Sequence, residues 1–299
     1  MEKIRYGGWE NCYRIANDQI ELILTGDVGP RIIRFGFLNE ENMFKEYADQ
    51  LGRTQSDEWL NFGGHRFWHA PEVFPRTYYP DIEPVLVQEL EDGILVTQKP
   101  EPTTGIQKQI KISLSSSKNE VQLTHSLINH NLWAIECAPW ALTVMAQGGV
   151  AVLPLPPRGP HPEFMLPTST LSIWPYTDLS DPRWVLGEKY ILLRQDPDIQ
   201  KPQKIGIFAS DGWAGYVNFN TLFLKQTPIH FDAIYPDLGV NFEAYTDGEM
   251  LEVESLGPIE SIPPNGRIDH QEHWTLIKGV NPPTCDQDVI DQILPHFVD

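Results

Sequence analysis

Cysteines and basic residues are few in this sequence. The three cysteines, Cys12, Cys137 and Cys285, are odd in number and widely spaced, so they indicate neither a disulfide framework nor a paired Cys-x-x-Cys metal site. Lysine and arginine together number 22 against 41 acidic residues, which gives a net charge of −19. Such a chain is repelled by phosphate backbones and anionic membranes, and no basic run offsets the repulsion. We therefore expect a partner that is neither a nucleic acid nor a membrane.

Long apolar segments are also absent from the sequence. No run is long enough to span a bilayer, and residues 1–6 contain no apolar signal-peptide region. We therefore expect a cytoplasmic protein with reduced thiols.

Helix candidates are limited to residues 42–51, which Gly52 would end, and residues 285–298, which Pro295 would shorten or kink.

Short strand-like segments occupy most of the chain. The 26 prolines and 22 glycines favour many turns, and Asp92-Gly93 forms a hairpin turn between residues 85–90 and 94–98. The other strand candidates are residues 19–25, 31–37, 106–114, 121–128, 140–145, 150–154, 204–209, 214–219, 222–226, 240–245, 250–256 and 273–278. Because these segments do not alternate with helices, they predict an all-β antiparallel sandwich with one or two short helices, formed by residues 1–299 as a single domain.

Residues 61–72, with the sequence NFGGHRFWHAPE, carry a high density of chemical groups. Gly63 and Gly64 allow a sharp turn or a close approach to a ligand. So many polar groups are unusual in a core strand, so we expect a ligand-binding segment, with a Gly-rich surface loop as the alternative. A sugar ring needs hydrogen-bond partners at its edge and an aromatic platform for its C–H face. The residues that offer such groups here are His65, Arg66, Trp68, His69 and Glu72.

The spacing of His65, His69 and Glu72 also resembles a metal site. On a helix, residues four apart would share a face and bind one ion. The Gly63-Gly64 pair and Pro71 disfavour a helix at this place, so we predict no bound metal and no cofactor.

Two glutamates alternate along the strand candidate at residues 250–256. Glu252 and Glu254 would share one face of that strand. On a concave sheet face, burial would raise the pKa of such a glutamate and allow it to act as a general base near neutral pH. The alternative is that both lie on the wet face of an edge strand.

Two further residues are candidates for contact with a ligand. His125 shares a strand face with apolar residues, which is typical of a hydrogen-bonded core histidine, and a ligand role is the less common alternative. Asp237 precedes Gly239 in a predicted loop, where its carboxylate can accept a hydrogen bond from a hydroxyl. Taken singly, Trp68, Trp140, Trp174 and Trp213 are expected in the core, with one or two of them beside the site.

Six segments resemble the galactose mutarotase-like, or aldose 1-epimerase, superfamily, and most closely a little-characterised bacterial branch of it. These segments are residues 28–34, 63–72, 139–145, 174–178, 241–246 and 252–258. The resemblance covers nearly the whole chain. It implies an antiparallel β-supersandwich with a sugar site on a concave sheet face and no cofactor.

The resemblance also implies roles for particular residues. Aldose 1-epimerases use a C-terminal glutamate as a base on the anomeric hydroxyl and a histidine that donates to the ring oxygen. Glu254 falls at the position of that glutamate, and Arg66 resembles an arginine that contacts the sugar in hexose-phosphate epimerases. The family's Asn-His motif has no counterpart at residues 138–142, so the acid would be His65, with His69 and His125 as alternatives.

Three functions follow from this comparison of motifs. The first is an aldose 1-epimerase-like enzyme that interconverts sugar anomers, with Glu254 as the base and His65 as the acid. The second is a sugar-binding module without an acid–base pair. The third is an oligosaccharide hydrolase or lyase, which needs two opposed catalytic groups and a longer groove. In each case, the expected partner is a neutral monosaccharide or a short oligosaccharide.

Overall fold

The computed structural model describes residues 1–56 and 59–297. Within these residues, the chain forms two antiparallel sheets, which confirms the predicted all-β sandwich. The first sheet runs in the order β1 (Glu2–Tyr6), β2 (Trp9–Ala16), β3 (Ile20–Thr25), β4 (Arg31–Phe37), β5 (Gly64–Ala70), β10 (Ile135–Met145), β19 (Leu251–Leu256), β18 (Phe242–Thr246), β15 (Gln203–Ile207) and β12 (Leu171–Ile173). Strand β20 (Glu260–Ile262) pairs with β10 beside this path.

The second sheet packs against the first. Its order is β13 (Trp184–Leu186), β14 (Tyr190–Arg194), β11 (Val150–Pro154), β16 (Trp213–Asn218), β17 (Thr221–Gln226), β21 (Arg267–Lys278), β9 (Glu120–Asn129), β8 (Ile106–Leu114), β7 (Gly93–Thr97) and β6 (Leu86–Leu90). Helix α1 (Asp286–Gln292) and a 3-10 turn (Leu294–Phe297) follow the last strand. The described part of the chain has no helix with the length and apolarity that crossing a membrane requires.

An aromatic cluster joins the two sheets at their centre. Phe35 from β4 and Phe44 from the following segment meet Phe223 and Trp274 of the second sheet, with ring centroids 5.4 to 6.0 Å apart. All four side chains are buried. Such aromatic pairs contribute roughly 0.5–1.5 kcal/mol each beyond the burial of their area, so this cluster fixes how the two sheets face each other.

The prediction of a helix at residues 42–51 is wrong. The side chain of Asn42 accepts hydrogen bonds from the amides of Phe35 and Phe44 and donates to the carbonyl of Ile33. The amide of Lys45 donates to the carbonyl of Val144 in β10. Because the backbone is paired with two strands of the first sheet, it cannot satisfy a helical ladder.

The prediction that residues 61–72 avoid a core strand is also wrong. Strand β5 lies between β4 and β10, and its seven residues are all buried. Gly64 has φ +71°, and a Cβ there would lie 2.3 Å from the carbonyl oxygen of Ile32. The glycine pair does permit a close approach, but the neighbour is backbone of the same sheet.

The C-terminal segment confirms the expected short helix. Pro295 lies in the 3-10 turn that follows α1, and Val298, at the end of the predicted helix, lies outside the described residues. Val289 and Ile293 pack with Val150, Trp213 and other apolar residues of the second sheet. This segment therefore covers part of that sheet's outer face.

Candidate functional site

One face of the first sheet carries a band of charged and aromatic side chains across five adjacent strands. Cross-strand register sets Trp68 beside Trp140, Arg66 beside Leu142, and Leu142 beside Glu254. Successive side chains of a strand alternate between faces, so residues paired in this way project from the same side. By the same register, Glu243 and Tyr245 of β18 and Lys204 of β15 lie on this face.

A cleft of about 410 Å³ opens over this band. Its volume is in the range of small-molecule sites, roughly 300–1,000 Å³. The lining residues are Trp59, Asn61, Arg66, Trp68, Glu72, Tyr78, Trp140, Leu142, Trp174, Tyr176, Pro202, Lys204, Tyr245, Met250 and Glu252. Seven of these fifteen residues are aromatic, so flat apolar faces and a small set of charged groups share one wall.

Arg66 is held at the cleft by aromatic and acidic neighbours. Its guanidinium lies 4.6 Å from the ring centre of Trp68 and 5.4 Å from that of Trp59. It forms a 2.8 Å ion pair with Glu252 and donates to the Asn61 amide oxygen at 3.1 Å. Its Nε is buried and has no hydrogen-bond partner within the described residues. The guanidinium is therefore fixed in place by Glu252, Asn61 and two indole rings.

Lys204 forms the second charged centre. Its ammonium is 2.7 Å from Glu243 and 3.0 Å from Glu254, and it lies 4.8 Å from the ring centres of both Trp140 and Trp174. Burial alone would lower the pKa of Lys204, but the two carboxylates raise it well above its usual value. Lys204 is therefore a permanent cation whose charge is already matched inside the protein.

Two carboxyl groups at this site hold protons more tightly than usual. Burial, with Glu254 as a negative neighbour, raises the pKa of Glu243 well above its usual value even though Lys204 opposes the shift. Burial also raises the pKa of Glu252, and Arg66 offsets part of that increase. Two carboxyl groups share one buried ammonium here, and this competition helps to keep the pKa of Glu243 above its usual value.

The structure brings together four of the residues singled out from the sequence. Arg66, Trp68 and Glu72 line the cleft. Glu72 is exposed and accepts a hydrogen bond from the hydroxyl of Tyr78. Glu254 lies on the same face but is fully buried, where Trp140 and Lys204 contact it. Of the two glutamates on this strand, it is Glu252 that lines the cleft.

The predicted histidines lie on the opposite face of β5. His65 and His69 alternate with Arg66 and Trp68, so they point between the sheets and not into the cleft. His65 is therefore separated from Glu254 by the sheet, and the structure does not bring the proposed acid and base together. Both ring nitrogens of His69 are buried without a hydrogen-bond partner in the described part of the chain, and burial lowers its pKa to about 3.

His125 belongs to the same buried layer as His65. The two Nε2 atoms are 2.7 Å apart, His65 Nδ1 lies 2.9 Å from the Thr143 hydroxyl, and His125 Nδ1 lies 3.1 Å from the His270 carbonyl. The carbonyl can only accept, so we assign the proton of His125 to Nδ1, and His65 then donates from Nε2. Burial lowers the pKa of both imidazoles, in agreement with this neutral pair.

His65, His125 and Glu272 form the group within residues 1–56 and 59–297 whose atoms could hold a metal ion; their ligand atoms lie within 4.8 Å of one another. Other contacts already occupy Glu272: Lys225 lies 2.9 Å from Oε1 and the Trp274 indole donates to Oε2 at 2.9 Å. Burial alone would raise the pKa of Glu272, but Lys225 lowers it. This cluster is thus a hydrogen-bonded link between the sheets, and it does not include the predicted His69 and Glu72.

Asp237 lies apart from the cleft wall. It is half-buried in a turn with φ +51°, and its backbone carbonyl accepts a 2.7 Å hydrogen bond from the Ser172 hydroxyl. Its charge helps to raise the pKa of Glu243. The loop position predicted from the sequence is confirmed, whereas contact of Asp237 with a ligand stays a prediction.

Several cleft residues were not identified from the sequence, chiefly Trp59, Tyr78, Tyr176, Lys204 and Tyr245. Tyr176 follows Trp174 in the segment 174–178, so the motif itself was a usable signal. Lys204 gave no such signal in the sequence, because a lysine at the start of a strand is normally exposed. Its burial depends on Glu243 and Glu254, which are distant in the sequence.

Comparison with solved structures identifies the fold. No protein-family model matches the chain, and neither does any curated protein. A protein from Synechocystis sp. PCC 6803 is similar with a TM-score of 0.60 and 10% identity, over 93% of this chain and 100% of that one. A galactose mutarotase-like protein from Lactobacillus casei ATCC 334 gives a TM-score of 0.57 and 8% identity, over 89% and 100% of the two chains. The fold of this chain is galactose mutarotase-like.

A further neighbour, a candidate aldose 1-epimerase from Klebsiella pneumoniae, has a TM-score of 0.60 and 12% identity over 97% of this chain and 85% of that one. At such identities, the similarity concerns the galactose mutarotase-like fold alone. Any activity of this chain must be argued from its own cleft.

Proposed function

We propose that the cleft of this galactose mutarotase-like chain binds a sugar. The observation that carries the proposal is the ring of seven aromatic residues around one cavity that also holds Arg66 and Glu252. These aromatic residues are Trp59, Trp68, Tyr78, Trp140, Trp174, Tyr176 and Tyr245. Aromatic faces suit the C–H face of a pyranose, while the charged groups and tyrosine hydroxyls suit its hydroxyls.

The charge arrangement favours a sugar without a phosphate. Both cations that line the described cleft are matched: Arg66 by Glu252, and Lys204 by Glu243 and Glu254. Glu72 adds a further carboxylate at the rim. A phosphate would have to displace one of these pairs and leave a carboxylate without its partner, which is costly at a buried position.

A second candidate function is interconversion of anomers, favoured by Glu252 and Glu254 on the cleft face. One of these carboxylates would take the proton of the anomeric hydroxyl while another group protonates the ring oxygen; the ring opens, the carbonyl carbon rotates, and closure gives the other anomer. One oxygen of Glu254, Oε1, has no hydrogen-bond partner in the described chain. Because of its position on the cleft face, Glu254 is the candidate base in this hypothesis.

We prefer binding to interconversion of anomers because the described part of the cleft lacks a group well suited to act as the acid. Among the described cleft residues no histidine is present, so the acid would have to be Lys204, a tyrosine or Glu252, and Glu252 is itself one of the two candidate bases. Burial raises the pKa of Tyr176 and Tyr245, and the carboxylates raise that of Lys204. A group whose pKa is far above neutral transfers its proton poorly. Hydrolysis is also less favoured, since Glu252 and Glu254 project side by side from one strand and not from opposed walls.

Calorimetry with a panel of neutral sugars tests the proposal. The wild-type protein is titrated with glucose, galactose, mannose and their disaccharides at millimolar concentration, together with Trp174→Ala in the cleft wall. Trp133→Ala is the matched control, because Trp133 is 65% exposed and does not line the cleft. We expect Trp174→Ala to weaken binding at least about tenfold and Trp133→Ala to leave it unchanged. No heat with any sugar, or equal affinity of Trp174→Ala and wild type, would overturn the proposal.

A further inference from the structure

A second aromatic cavity adjoins the cleft. It measures about 640 Å³ and is lined by Trp59, Phe74, Pro75, Arg76, Tyr78 and four neighbouring residues. Trp59 and Tyr78 also line the first cleft, so the two cavities share an aromatic wall. The second cavity contains none of the charged pairs of the first and is distinctly more apolar.

A run of aromatic contacts connects the two cavities. The ring centre of Phe74 is 5.9 Å from that of Tyr78, which is 5.0 Å from Trp68. Trp68 is in turn 5.4 Å from Trp140 on the cleft floor. This run of contacts links the exposed ring of Phe74 in the second cavity to Trp68 and Trp140, which are buried beneath the cleft.

The second cavity also offers polar groups. Arg76 Nη2 donates to the carbonyl of Pro71, while Arg76 Nε is buried and lacks a hydrogen-bond partner among the described residues. Thr103 and Thr104 also line the cavity. A lipid tail would offer no acceptor to Arg76, whereas the hydroxyls of a sugar can accept a hydrogen bond.

The segment that forms this cavity is built to hold its shape. Residues 71–84 contain four prolines, each of which restricts the backbone φ angle. Thr77 ties the segment together, since its backbone amide donates to the Val73 carbonyl and its hydroxyl accepts from the Val73 amide, each at 2.9 Å. Phe74 remains 79% exposed on this framework. An exposed aromatic ring on a restrained segment loses little entropy on binding, which favours a binding role.

We propose that the second cavity is a further sugar subsite, and that the ligand is an oligosaccharide with at least two rings. This inference rests on the proposed sugar-binding function of the cleft. One ring occupies the cleft above Trp140, and the next lies beyond Trp59 and Tyr78, against Phe74 and near Arg76. The two cavities lie side by side and share Trp59 and Tyr78, which favours one ligand that reaches both over an unrelated peptide or lipid.

The test compares sugars of increasing length. Wild-type protein is titrated with glucose, maltose, maltotriose, cellobiose and cellotriose, and with galactose and mannose beside their β1,4-linked disaccharides. We expect the best disaccharide or trisaccharide to bind at least about tenfold more tightly than its own monosaccharide. Phe74→Ala should abolish this gain and leave monosaccharide affinity unchanged. Phe219→Ala, at an exposed aromatic residue in the turn between β16 and β17, is the matched control.

A second variant tests the subsite by filling the second cavity. Thr103 is exposed, so Thr103→Trp fills the second cavity without disturbing the core. It should remove the gain with length as Phe74→Ala does. Equal affinity for short and long sugars in the wild type, or the same gain with length in both variants, would overturn the subsite while leaving sugar binding intact. Absence of binding by every sugar, long or short, would instead refute the proposed function and the subsite together.

Discussion

The indole nitrogen of Trp140 donates a 2.8 Å hydrogen bond to Oε2 of Glu254. The same oxygen accepts from the ammonium of Lys204 at 3.0 Å. Glu254 is therefore held behind two residues that line the cleft. Its role in any chemistry depends on whether its second oxygen, Oε1, becomes accessible to a sugar.

Glutamine variants separate the roles of Glu252 and Glu254. In a wild type that accelerates mutarotation, Glu254→Gln should lower the rate by roughly 10²–10⁴, the scale of general-base catalysis, and should change sugar affinity much less. Glu252→Gln should chiefly weaken binding, because Glu252 lines the cleft and orients Arg66. Polarimetry on a freshly dissolved anomer gives the rate, and saturation-transfer NMR gives the binding. An equal rate in wild type and Glu254→Gln would place the base elsewhere, with Glu252 and then Glu72 as the next candidates.

His69 should make the protein sensitive to acid. The pKa of His69 is lowered from 6.5 to about 3 by burial. Between these values the unfolded chain binds a proton that the folded chain does not, so the contribution of His69 to stability is present above pH 6.5 and is lost as the pH falls toward 3.

The variant His69→Leu removes this titration and two buried polar atoms without partners. We expect the variant to gain stability relative to wild type as the pH falls from 7 to 4, measured as the free energy of unfolding in urea at each pH. A difference between the two proteins that does not change with pH would contradict the assignment. His130→Leu, a change at an exposed histidine, is the control.

Gly64 should be intolerant of a side chain. A Cβ at Gly64 would lie 2.3 Å from the Ile32 carbonyl oxygen, whereas Gly239 has open space around it and also has a positive φ, +97°. Gly239→Ala therefore carries only the cost of backbone strain, about 1–3 kcal/mol. Gly64→Ala carries that cost and a displacement of β4 from β5, so it should lower the free energy of unfolding clearly further. Equal losses in the two variants would show that the close approach is unimportant.

Lys225 should stabilise the strands beneath the cleft. Its ammonium donates to the carbonyls of Ala141 and Val253 at 3.0 and 3.1 Å and pairs with Glu272 at 2.9 Å. Lys225→Met leaves the carboxylate of Glu272 buried without its cation, a change that typically costs about 3–5 kcal/mol. The double variant Lys225→Met/Glu272→Gln should recover part of the loss, as chemical denaturation would show. No recovery would mean that the carbonyl contacts, and not the ion pair, matter most.

The strands were largely predictable from the sequence because alternation and turn residues are local properties. The hairpin around Asp92-Gly93 appears as expected in β6 and β7. The prediction of a helix at residues 42–51 failed because the side chain of Asn42 forms hydrogen bonds with the backbone of β4. This long-range arrangement overrides helix propensity. Glu252 and Glu254 do share one face. Local reasoning could not reveal that Lys204 comes from another strand to neutralise Glu254.

The polar strand β5 was misinterpreted for a related reason. The sequence indicated a ligand-binding segment or a surface loop because the partners of His65 and Arg66, which are Thr143, His125 and Glu252, belong to three other strands. Burial of polar groups becomes favourable only when such partners are supplied by the assembled sheets.

The alternation of β5 limits how this protein can diversify. A single inserted or deleted residue in that strand would turn Arg66 and Trp68 into the core and bring the histidines to the cleft. Ligand preference can therefore change by substitution along β5, but its length is effectively fixed. Changes in length are better tolerated in the segment after it, residues 71–84, which does not belong to a strand.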